Sequence, residues 1–159
     1  GPRSPAPRAG GEAGRRHAGP AHARRPGPAA SPVSPYERIG GEPVVRAVVD
    51  SFVDRMAADY IIGFFFDGKD LARVKQHEFE HAARALGGAV PYTGRPIPAL
   101  HRPLRINGGQ FRRRLALLRQ QIERHGVPDD CRDTWITEQL RMQAAITDGT
   151  DCAPPPRDP

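Results

Sequence analysis

The sequence predicts an all-α domain flanked by two low-complexity tails. Three observations carry this. Apolar residues recur at three- and four-residue spacing along the middle of the chain, helix-start and helix-stop signals bracket those stretches, and prolines fall between or at the ends of them.

The tails are set apart by composition. Residues 1–35 hold eight prolines, six arginines and one acid, Glu12, with Val33 as the one large apolar side chain. Residues 148–159 end in the run Pro154-Pro155-Pro156. Neither stretch can bury enough apolar surface to offset its ordering entropy, so both are expected to be disordered. The foldable part is residues 36–147, a single domain of 112 residues out of 159.

This division relocates the charge. The chain carries +6, and the first 35 residues supply six Arg minus one Glu, or +5. The high pI is therefore a property of the N-terminal tail. A basic tail attracts nucleic acid or anionic lipid weakly, but the chain shows no nucleic-acid-binding sequence pattern, and a solvated leader is the simpler expectation. The longest apolar run, Tyr60 to Phe66, is too short to span a bilayer, and no hydrophobic signal core follows the basic residues. Cys131 and Cys152 make no disulfide framework. A cytoplasmic protein without a membrane partner is expected.

The elements follow in order. Gly40-Gly41 ends a first short turn, and Pro43 suits the start of the next helix. Val44, Val45, Val48, Val49, Phe52, Val53 and Met56 then give that helix a broad apolar face. Ile61, Ile62 and Phe64-Phe65-Phe66 form an apolar corner; in isolation that run also reads as a buried strand. A helix from the N-cap Asp70 to Leu86 is stopped by Gly87-Gly88. Its inward face is expected to carry Leu71, Val74, Glu78, His81, Ala82 and Ala85, with His77 on the shoulder. Charged groups on an apolar stripe are where function tends to sit.

Pro91, Gly94, Pro96, Pro98 and Pro103 prevent a long helix over 89–106 and leave room for one short turn, about Pro98 to Arg102, that holds His101. Asn107 with Gln110 forms a capping-box pattern for a helix bearing Phe111, Leu115, Leu118 and Ile122. Gly126 and Pro128 end it. A last helix, about Asp129 to Thr147, carries Trp135, Ile136, Leu140 and Ile146.

Several short motifs stand in a specific order: Tyr36-Glu-Arg-Ile-Gly-Gly-Glu-Pro, Val49-Asp-Ser-Phe52, Phe65-Phe66, Leu86-Gly-Gly, Pro91-Tyr-Thr-Gly94, Leu100-His101, and Ile106 with Phe111. In that order and spacing, over almost all of 36–147, the chain resembles the group I truncated haemoglobins. The resemblance implies a truncated globin, a two-over-two helical sandwich around haem b, with His101 as the proximal iron ligand. A neutral imidazole is a globin's usual axial ligand, and its second ring nitrogen needs an acceptor such as a backbone carbonyl. On the same basis Phe66 packs on the porphyrin face, and Ile97, Leu100, Phe111, Leu118 and Trp135 fall on pocket-wall positions.

On the distal side the sequence departs from the family. The tyrosine common after Phe52 is Val53, a frequent glutamine is Glu78, and Val74 is apolar. Glu78, beside haem, is open to three dispositions: protonated and donating to a ligand, ionised and paired with His81, or turned outward. His77 falls where some relatives carry a distal histidine that binds iron at rest, so a six-coordinate resting haem with His77 and His101 is one expectation. The other is a histidine near a haem propionate. The resemblance implies binding of oxygen, nitric oxide or carbon monoxide. It also allows nitric oxide dioxygenation, peroxidase-like or electron-transfer chemistry fed by a reductase or other electron donor, in a monomer or weak homo-oligomer.

Two other readings remain. His77-Glu78-Phe79-Glu80-His81 satisfies His-Glu-x-x-His, in which two imidazoles one turn apart bind zinc and the glutamate activates water, as in a zinc metallopeptidase. Glu80 and the lack of strands count against it. A globin-like interaction module without haem also fits Val53, while His101 and Phe66 oppose it.

Overall fold

The computed structural model describes residues 31–150, with Gly10, Arg25, Gly27 and Pro28 besides. Most of the expected N-terminal tail, Cys152 and the triple-proline run lie outside the described residues. The chain divides into Gly1–Ser31 and Pro32–Pro159, and the fold below is that of the second unit.

Among the described residues, the regular elements of that unit are all helices. Its elements are α1 (Pro35–Arg38), α2 (Glu42–Ala57), a 3-10 turn (Gly63–Phe66), α3 (Leu71–Ala85), α4 (Ile97–His101), a second 3-10 turn (Arg102–Leu104), α5 (Gly108–Arg124), α6 (Asp129–Arg141) and α7 (Gln143–Ile146). The four long helices close a ring of contacts: α2 lies against α3 and α5, and α6 lies against α5 and α3. This is the two-over-two arrangement that the sequence resemblance implies.

The first helix is capped from a residue ahead of Tyr36. Ser34 caps α1 by accepting from Glu37 N–H at 3.2 Å while the Glu37 carboxylate accepts from Ser34 N–H at 3.3 Å. Tyr36 N–H donates to Leu86 O at 2.9 Å, which seats α1 on the end of α3. Gly88 is required there, because a Cβ at that position would lie 2.9 Å from Tyr36 Cγ and 3.0 Å from Ala83 O. The Gly-Gly stop after α3 and the distant Tyr36 are two halves of one contact.

α2 buries Val45, Val48, Val49, Phe52, Val53 and Met56, while Val44 is only half-buried. Asp70 caps α3 by accepting from Ala72 and Arg73 N–H, and Asn107 and Gln110 form the expected reciprocal box at the start of α5. The run Tyr60–Phe66 is no strand: it closes in a 3-10 turn, with Tyr60 and Phe64 facing solvent. A buried carboxylate holds this corner, since Asp59 accepts from Ile61 and Ile62 N–H and from Arg113 Nη2 at 2.7 Å.

Three expectations need correction. The fully buried residues of α3 are Phe79, Glu80, Ala82 and Ala83, whereas Leu71, Val74, Glu78, His81 and Ala85 are half-buried. The core-facing stripe is therefore rotated from the expected one, with Phe79 and Ala83 in the same cluster as α2. Leu140 is exposed and Gln139, its neighbour, is buried. The last helix also breaks at Met142, and the chain beyond α7 turns back so that Thr147 bridges Ile106 and Asp148 N–H donates to Ile106 O at 2.9 Å.

Candidate functional site

The chemically active side chains lie on α3, α4, α5 and the loop 89–96. His101 ends α4, a five-residue helix framed by Pro96, Pro98 and Pro103. Its Nδ1 lies 2.8 Å from Ile97 O. A carbonyl only accepts, so Nδ1 carries the proton and Nε2 is left with its lone pair. Burial is the largest influence on the imidazole and pushes it below the ordinary histidine value, with the hydrogen bond to Ile97 and the charge of Glu78 opposing and Arg114 adding to the fall. A neutral histidine with one nitrogen fixed and the other offered is the donor that an iron axial ligand requires.

Ile97 and Leu100 share α4 with His101, Phe66 ends the first 3-10 turn and Val74 lies on α3; Phe66, Val74 and Ile97 are half-buried, and Leu100 is exposed. Phe66 and Val74 pack against the main core cluster, and the hollow beside His101 is lined by Pro98, Arg102, Arg105 and residues 144–148. Val53, Phe111, Leu118 and Trp135 are fully buried. Val53, Leu118 and Trp135 belong to the main core cluster.

Glu78 takes none of its three expected dispositions. It is paired with Arg114, whose Nη2 donates to both carboxylate oxygens at 2.9 and 3.0 Å. Arg114 Nη1 donates to Gln139 Oε1 on α6 at 2.5 Å, and the guanidinium lies 5.1 Å over the Phe52 ring. The sequence reading missed Arg114. The signal was available: it lies one turn after Phe111 and one before Leu118, a charge on an apolar stripe like Glu78.

His81 is held below the ordinary histidine value, first by burial; the charge of Glu78 opposes this, and Arg114, Arg84 and His101 add to it. His81 and His77 both meet Tyr92 edge-on, with ring centroids 5.3 and 6.0 Å apart. Tyr92 donates to Arg95 O at 2.9 Å, and its ring packs so closely on Gly94 that a Cβ there would collide with it. Glu80, also unassigned by the sequence, is the anchor of this loop. Its carboxylate accepts from Thr93 N–H at 2.8 Å, Thr93 Oγ1 at 2.9 Å and Gln76 Nε2 at 2.9 Å. Gln76 in turn accepts from Arg46 at 3.0 Å.

The zinc reading loses its footing here. Among the described residues no three His, Cys, Asp or Glu are placed to share a metal ion, and Glu78, the required general base, is engaged by Arg114. Cys131 is buried, and burial raises its thiol above the ordinary value, so it contributes no reactive group. Among the described residues no helix is long and apolar enough to cross a membrane.

A two-over-two helical sandwich whose short proline-framed helix offers a neutral histidine is the architecture of a truncated globin. The chain belongs to the bacterial-like globins, whose family model matches residues 34–148, and within them it is a group I truncated haemoglobin. It is 37% identical over 101 residues to the group 1 truncated haemoglobin GlbN of Mycolicibacterium paratuberculosis, covering 64% of this chain and 74% of that one. Among solved structures, the Fe(III) truncated haemoglobin of Tetrahymena pyriformis superposes with a TM-score of 0.69 at 21% identity, covering 74% of this chain and all of the other. The 2/2 haemoglobin of a Synechococcus species, solved with covalently attached haem, gives 0.67 at 26% identity, covering 72% of this chain and 98% of its own. Haem b is the cofactor of such proteins, and the donor set around His101 fits it.

Proposed function

We propose that the cleft between α3, α4 and α5 binds haem b with His101 as the proximal iron ligand, and that the protein takes up oxygen, nitric oxide or carbon monoxide there. The observation that carries this is the His101 Nδ1 hydrogen bond to Ile97 O at 2.8 Å, which orients Nε2 as a ligand. When bound, haem supplies an iron centre with a coordination position for a small gas. The chain's own part is to hold and shield it. Phe66, Val74, Ile97 and Leu100 provide apolar walls, and Phe111, Leu118 and Trp135 stiffen the floor behind them. Val53 offers no hydroxyl to a ligand. His77, half-buried on α3, would supply a second iron ligand to part of the resting population, and electron exchange with a reductase, including nitric oxide dioxygenation, is the redox chemistry this site suits.

The test is a haemin titration of the full chain beside His101→Ala and His77→Ala. One haem per chain, lost or greatly weakened in His101→Ala and regained on adding imidazole, supports the assignment. Unchanged haem affinity and spectrum in His101→Ala would refute it. A six-coordinate resting spectrum that His77→Ala converts to five-coordinate supports the second ligand, and a spectrum indifferent to that change removes it.

A further inference from the structure

The geometry points to Arg114 as the ligand-facing hydrogen-bond donor of this pocket, standing in for the hydroxyl that Val53 lacks and making the site selective for small monoanions. This rests on haem binding in the same cleft and specifies which ligands that haem prefers.

Arg114 is held on three sides: by the Glu78 carboxylate on α3, by Gln139 on α6 and by the Phe52 ring of α2, the residue before Val53. Only 15% of its side chain is exposed. A guanidinium so restrained cannot swing to solvent and presents its N–H groups in a fixed fan. Among the described residues its hydrogen bonds use Nη1 and Nη2, and Nε–H has no partner. It stands on α5 against Glu78 of α3, and its guanidinium covers the ring of Phe52, the residue before Val53.

In a site of low dielectric, a positioned N–H beside a full positive charge stabilises an anion far more than a neutral ligand. Glu78 plays a mixed part. It fixes the guanidinium, and its own charge repels an incoming anion. Glu78→Gln keeps an acceptor for Arg114 and removes the repulsion, so it should tighten anion binding.

The experiment uses the haem-loaded full chain. Azide and fluoride are titrated into the ferric form and carbon monoxide, a neutral ligand, into the ferrous form, for wild type, Arg114→Met, Arg114→Lys and Glu78→Gln. Arg114→Met should weaken both anions by about tenfold or more, with carbon monoxide affinity changed far less. Arg114→Lys should fall between, and Glu78→Gln should bind the anions more tightly than wild type. The ligand-induced rise in Tm should follow the same order. Anion affinity unchanged in Arg114→Met, or lost in step with carbon monoxide, would overturn the inference while leaving haem binding intact. If Arg114→Met does not fold, the Arg114→Lys and Glu78→Gln trends decide, and Glu78→Gln binding anions more weakly would overturn it. No stoichiometric haem complex in the wild-type chain would overturn both readings.

Discussion

Arg114 Nη2 bridges both carboxylate oxygens of Glu78, at 2.9 and 3.0 Å, and so ties α5 to α3. With 15% and 25% of the two side chains exposed, the pair sits between surface and interior, where neither screening nor desolvation cancels it.

A double-mutant cycle on the haem-free domain should therefore find real coupling. Glu78→Ala and Arg114→Ala singly should each lower stability by about 1–3 kcal/mol, because each strands a half-buried partner. The double variant should lose less than the sum, with a coupling of about 1 kcal/mol or more by denaturant unfolding. Additive losses would show that the bridge contributes packing alone.

Glu80 makes a sharper demand, since it is 3% exposed and its carboxylate is the shared acceptor of Thr93 and Gln76. Glu80→Ala leaves a backbone N–H and two side-chain donors without their acceptor, a loss of about 2–4 kcal/mol. The loop 89–96 should also lose its register. Amide exchange at Thr93 and Tyr92 should accelerate more than exchange in α2, whereas uniform acceleration would mean that Glu80 stabilises the domain without anchoring the loop.

Acid should expose the same groups. Asp59 is held below the usual carboxylate range chiefly by the Arg113 hydrogen bond, reinforced by Ile61 and Ile62 N–H against the opposing effect of burial. For Glu80, burial is the largest influence and raises its value, but Thr93, Gln76 and the charge of His77 together outweigh it. Both folded values lie below the unfolded ones, so each contributes stability that is complete above the unfolded carboxylate value, about 4, and is lost as pH falls through the folded value. His81 and His101, held below the ordinary histidine value, should begin a shallow loss of stability below about pH 6.5, and the two carboxylates should add a steep one below about 4. Asp59→Asn should be less stable at pH 7 by about 1–3 kcal/mol and show a shallower acid slope; an unchanged slope would assign the acid sensitivity elsewhere.

How much of this was legible beforehand depends on the range of the interaction. Caps at Asp70 and Asn107 and the α2 stripe were readable, because they are set by residues within one or two turns. The backbone-carbonyl partner expected for the His101 imidazole followed from its chemistry, and Ile97 O supplies it. What the sequence hid is pairing over long separations: Arg114 with Glu78, Arg113 with Asp59, and Tyr36 with Gly88. The rotation of the α3 stripe escaped for a related reason. A helix flanked by a core on one side and a cleft on the other carries two adjoining faces, and hydrophobic spacing alone does not say which of them is dry.

The consequence for His77 is the last prediction. Its ring meets Tyr92 edge-on at 6.0 Å, and Tyr92 is locked by Arg95 O, Gly94 and the Thr93–Glu80 anchor. An aromatic contact of this kind contributes about 0.5–1.5 kcal/mol, which favours the His77 position away from the iron by roughly three- to tenfold. A ligand exchange at His77 then becomes a two-state equilibrium that Tyr92 biases toward the open form. Replacing Tyr92 with Leu removes the edge contact and keeps an apolar side chain, so the six-coordinate fraction of the haem-loaded protein should rise by about that factor. The visible bands of the ferrous protein report it directly, and Tyr92→Leu with His77→Ala should return them to five-coordinate. If Tyr92→Leu leaves the bands unchanged, the ring does not restrain His77. If the bands change and His77→Ala does not reverse them, the sixth ligand is another residue.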